Sequence, residues 1–156
     1  RDALIARDPQ ARALYLVNTT RYSSELEKLD ALYREGLQQC AFDTVVTSHS
    51  AFGYLAKRYG FKAIAVTGIS PDTEPSPRAL ADIAETMQSL GLRYIFFETL
   101  VSPKIAQTLA AAVGAETLVL DPLEGLSEEK QKAGKKYLSV MAENLHNLET
   151  ALVCQQ

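Results

Sequence analysis

The feature that most constrains this chain is an alternation of short β-branched runs with helical segments stopped by glycine. Thr44–Ser48 reads as a strand, and Ala51–Tyr59 as a helix closed by Gly60. Lys62–Thr67 is a second strand, followed by the proline-rich loop GISPDTEPSP and a helix over Ala79–Leu90 that ends at Gly91. Arg93–Phe97 is the third strand, Pro103–Val113 a helix before Gly114, and Glu116–Leu120 the fourth strand. The pattern predicts an α/β fold, a four-stranded mainly parallel sheet with helices on both faces. A last helix is expected over 135–153, with Tyr137, Val140, Met141, Leu145, Leu148 and Leu152 on its inner side.

Ahead of the alternation stands one long helix, over about 9–39. Asp8-Pro9 supplies a capping side chain and a proline at the first helical position, and neither Gly nor Pro interrupts before Gly36. At 1.5 Å per residue it runs about 45 Å, longer than a small domain needs. It is expected to be a backbone element reaching beyond one lobe.

Several classes are excluded by composition. Sixteen basic against 19 acidic residues give a net charge of −3, with no footprint for nucleic acid. No apolar run approaches the length of a membrane helix. The start RDALIARDPQ lacks the pattern of a signal peptide and reads like the middle of a longer chain. Cys40 and Cys154 share no metal-binding or redox spacing. Each ends a predicted helix, so a bonded pair and two separate thiols both stay open at this point.

Parallel sheets of this kind bind ligands at the carboxyl ends of their strands. The first strand delivers His49 there, the third delivers Glu98, and the fourth delivers Asp121 and Glu124. One imidazole and three carboxylates on one edge suit zinc or a similar cation. Each has an ordinary alternative: a half-buried histidine is often structural, and an Asp before Pro commonly starts a turn. Glu98 is a candidate ligand or a partner that holds His49 in one tautomer. His146, in the terminal helix, reads as a boundary residue. No nucleophile elbow, phosphate loop or dinucleotide fingerprint occurs.

The segments TSHSAFGYLAKRYGF, GISPDTEPSP, YIFFE, LDPLEGL and YLSVMAENLHNLETAL, in that order, resemble the C-terminal half of the metal-binding receptors of zinc and manganese ABC transporters. The long first helix is similar to the rigid helix that links the two lobes in that family. The resemblance implies a solute-binding protein rather than an enzyme, which holds one divalent cation between two lobes and delivers it to a membrane permease. It implies residues 1–40 as the linking helix and 41–156 as the C-terminal lobe, with the N-terminal lobe absent. His49 inherits the role of first ligand of this lobe. Glu124, 75 residues later, fits the second better than Asp121 does.

The histidine points to Zn2+, with Mn2+ as the alternative. The resemblance also implies work in the periplasm or at the outer face of the cytoplasmic membrane, a Cys40–Cys154 disulfide, and an exposed lobe face prone to self-association. A metal-dependent enzyme built on the strand-end carboxylates, and an adhesion or interaction module stabilised by metal, are the rival readings.

Overall fold

The structure, a computed structural model, describes residues 1–68, 76–98 and 104–155, apart from the side chain of Ile105. Four parallel strands form one sheet: β1 (Thr44–Thr47), β2 (Lys62–Ala65), β3 (Tyr94–Phe97) and β4 (Glu116–Val119), in the order β2-β1-β3-β4. The central β1 is buried along its whole length, whereas β2 and β4 at the edges begin exposed. This burial explains why TVVT reads as an unbroken β-branched run instead of an alternating one.

Successive residues of the central strands serve opposite faces. Val45 and Phe96 join one core with Leu29 and Tyr33 of α2 (Arg12–Gly36), Ala56 of α3 (Gly53–Tyr59), and Leu145, Leu148 and Leu152 of α7 (Tyr137–Leu152). Val46 and Ile95 join a second core with Ile83 and Met87 of α4 (Pro77–Leu90) and with Leu109 and Ala110 of α5 (Lys104–Val113). The helix ends follow local chemistry. Ser76 accepts from Ala79 N–H before Pro77, and Gly60 and Gly91 close α3 and α4 in the left-handed conformation.

The expected helix over 9–39 is observed in pieces. Asp8 caps a 3₁₀ turn at Pro9–Ala11, preceded by a short α1 (Asp2–Arg7), and α2 proper ends at Gly36. Only Leu29 and Tyr33 of α2 are buried, while Leu14, Val17, Tyr22 and Leu26 are exposed. Tyr137, expected on the inner side of the last helix, is 44% exposed because it is the first residue of α7, ahead of the buried Val140 turn. A further helix, α6 (Glu128–Lys132), starts at Ser127, whose hydroxyl accepts from Lys130 N–H.

Cys40 and Cys154 are joined in a disulfide that ties the chain after α2 to the end of α7. Among the described residues no helix is long and apolar enough to cross a membrane. Most of the proline-rich loop and the expected helix start at Pro103 lie outside the described residues.

Candidate metal centre

The chain leaves β1 toward β2 on one side and returns to β3 on the other. The strand order therefore reverses between β1 and β3, and the crevice beyond such a reversal is where open α/β sheets bind ligands. His49 follows β1 by two residues and Glu98 follows β3 by one. The register pairs Thr47 with Phe96, and Ser48 N–H donates to the Phe96 carbonyl at 2.9 Å. That alignment sets the two side chains side by side. The Nδ1 atom of His49 lies in ion-pair contact with Oε1 of Glu98, and both residues are buried, at 2% and 4% exposure.

The segment around His49 is held by its own backbone. Thr47 Oγ1 donates to the His49 carbonyl at 2.9 Å, and Ala51 N–H donates to the same oxygen. Thr67 donates through both its N–H and its hydroxyl to the Ser48 carbonyl. Nδ1 itself has no partner at hydrogen-bonding geometry, although the Glu98 carboxylate is against it. A carboxylate set against one ring nitrogen is the arrangement that orients metal-binding histidines, in which the other ring nitrogen is left for the ion. Among the described residues no hydrogen bond occupies Nε2 of His49.

Glu98 shows that the other acids are close enough to matter. Burial raises its carboxyl most, the charge of Glu124 adds to this, and Asp121 adds less. The Ser48 hydroxyl, which donates to Oε1 at 3.4 Å, opposes them, and the group stands at about 7. Burial is the main cause, and the neighbouring carboxylates add to it.

The structure uses the two acids of the β4 loop differently. Asp121 is buried, with Oδ1 accepting from Leu123 N–H at 2.8 Å and Oδ2 paired with Lys130 Nζ at 2.6 Å. Both of its oxygens serve the protein, so it organises the loop. Leu123 follows with a φ of 60°, uncommon for a residue with a branched side chain, and Glu124 is exposed. Among the described residues no group of three or more His, Cys, Asp or Glu side chains is arranged to hold a metal. His146 is exposed on α7, beside a groove that includes Lys130 and Glu143. Asn144, absent from the sequence reading, is buried against Asp121, and no local signal distinguishes it from any other helical asparagine.

The model of the family described as zinc-uptake complex component A, periplasmic, matches residues 1–151. Over 149 residues the chain is 44% identical to the zinc-binding lipoprotein AdcA of Streptococcus pneumoniae, covering 96% of this chain and 30% of that protein. It is 40% identical over 150 residues to the high-affinity zinc uptake system protein ZnuA of Bacillus subtilis, covering 96% and 47%. Its fold matches the laminin-binding protein Lmb of Streptococcus agalactiae, described as bifunctional with adhesin and metal-transporting activity. The TM-score is 0.85 at 35% identity, over 97% of this chain and 57% of the other. The chain thus spans less than half the length of the curated relatives it matches.

Proposed function

The chain belongs to the ZnuA family of zinc-uptake components, and from that premise we propose that it is the metal-holding part of an extracytoplasmic receptor that captures zinc for a high-affinity ABC transporter. The observation that carries the reading is the His49–Glu98 contact at the reversal of strand order. In this reading Nε2 of His49 and the carboxylate of Glu124 are the chain's own ligands. Glu98 holds the imidazole ring and Asp121 shapes the loop. Imidazole with one carboxylate favours zinc over manganese, which prefers oxygen-rich sites.

Two ligands do not complete a tetrahedral zinc site, so the remaining ones come from outside these 156 residues. Residues 1–40 then act as the backbone helix toward a second lobe, and 41–156 as the metal lobe. The exposed Leu4, Leu14, Val17 and Tyr22 along the first two helices support a covering partner there. In the isolated chain the same face drives self-association. The receptor works at the outer face of the cytoplasmic membrane or in the periplasm, and the recipient of the metal is a permease in that membrane. In this reading the work is binding and release with no chemical turnover, a reading supported by relatives named for zinc binding and zinc uptake.

Calorimetric titration with zinc and with manganese tests the reading, on the full-length protein that carries this chain and on the chain alone. Zinc binding tight in the former, weak in the latter and stronger than manganese in both is expected. Absence of zinc binding in the full-length protein would overturn it. A second reading, adhesion to an extracellular protein, draws on the laminin-binding relative. It predicts laminin capture by the chain on a surface, independent of zinc loading.

A further inference from the structure

Among the described residues no strand lies on the outer edge of β4, and side chains of α7 bond to the backbone there instead. Asn147 Nδ2 donates to the Val119 carbonyl at 2.8 Å. Asn144 does more: its Oδ1 accepts from Asp121 N–H at 2.9 Å and its Nδ2 donates to the Asp121 carbonyl at 2.7 Å. One amide thereby makes the pair of bonds a strand residue would make, at 2% exposure. The Asp121 carboxylate carries the constraint onward, since Oδ1 takes Leu123 N–H and Oδ2 takes Lys130 Nζ from α6. Backbone and side chain of Asp121 are both fixed, two residues before the left-handed conformation at Leu123.

We propose that Asn144 and Lys130, acting through Asp121, are positioning residues that set where Glu124 presents its carboxylate, so that zinc affinity depends on two side chains that never touch the ion. This rests on Glu124 being a ligand. A buried amide that satisfies both backbone groups of Asp121 leaves them unpaired when removed, and the loop must then find other partners. Such outer partners typically govern metal affinity by about 10–100-fold.

The test uses the full-length protein, at a temperature where circular dichroism shows each metal-free variant folded. Zinc affinity is read by competition with a chromophoric chelator, and ligand geometry by the visible spectrum of the cobalt form. Asn144→Leu and Lys130→Met should each weaken zinc by about 10-fold or more and alter the cobalt band. Lys130→Arg, which keeps the charge against Asp121, should bind like the wild type. Wild-type zinc affinity and cobalt spectra in Lys130→Met and Asn144→Leu would overturn the proposal, provided that Glu124→Ala loses zinc. If Glu124→Ala binds zinc normally, the ligand assignment itself fails and the inference falls with it. Should Asn144→Leu not fold, the Lys130 pair of variants decides alone.

Discussion

Nδ1 of His49 and Oε1 of Glu98 meet at the ends of two adjoining parallel strands, both side chains enclosed by protein. The contact has a cost in the metal-free state, because Glu98 is buried near Glu124 and Asp121 and stands at about 7 instead of its ordinary 4.5. The folded state therefore prefers the protonated acid. Below about pH 4.5 the group is protonated folded and unfolded and imposes no penalty. The penalty grows as pH rises through this window and is complete above about 7. Metal-free Glu98→Gln should accordingly gain melting temperature over the wild type at pH 8 and lose that advantage at pH 4.5. The expected gain is about 5 °C, checked by thermal melts at the two pH values. An equal difference at both would show that the acid is not perturbed.

In the proposed reading a neutral imidazole binds the ion, so zinc affinity should fall on acidification. Replacing His49 with Ala should remove most of the affinity, by about 100-fold or more. Glu98→Ala should weaken binding less, by about 10–100-fold, if it orients the ring as proposed and does not ligate. Chelator competition between pH 5.5 and 8 separates the two variants.

The Cys40–Cys154 bond closes a loop with a sequence separation of 114. The chain-entropy model assigns such a loop about 4–5 kcal/mol. Reduction, or replacement of both cysteines by serine, should lower the melting temperature by about 10 °C. The backbone bonds from Ala41 and Phe42 to Val153 and Leu152 keep the same junction in place, so the folded state should persist at moderate temperature.

Val153, immediately before Cys154, sits at a φ of 55°, a conformation that β-branched residues avoid, and its side chain is half exposed. Val153→Gly should therefore stabilise the protein by about 1 kcal/mol, despite the added freedom of the unfolded chain. Chemical denaturation with the disulfide intact gives the number directly.

The regular parts of the fold were legible because their signals are local. TVVT, KAIA, YIFF and ETLV read as strands from β-branched and aromatic content, and Gly60 and Gly91 mark helix ends that only a left-handed residue closes. His49 and Glu98 could be placed at one edge from topology alone. Their pairing was one of two readings open for Glu98, ligand or partner of the ring, and the choice between them depends on β1 lying beside β3. Asp121 as a turn former and Glu124 as the better-fitting acid were readable in the sequence. How Asp121 is held was not, since that depends on Lys130, nine residues on, and on Asn144 in a different helix. The α6 helix has a readable start in Ser127-Glu128-Glu129, a capping hydroxyl with two acids in the first turn, but at 5 residues it is too short to show an apolar period.

The most direct test is an anomalous difference map at the zinc edge from crystals of the zinc-loaded full-length protein. One peak is predicted at about 2.0–2.1 Å from Nε2 of His49 and about 2.0–2.2 Å from a carboxylate oxygen of Glu124, with Glu98 on the far nitrogen of the ring. A zinc ion bound elsewhere, at His146 for example, with His49 and Glu124 outside its coordination sphere, would contradict the account.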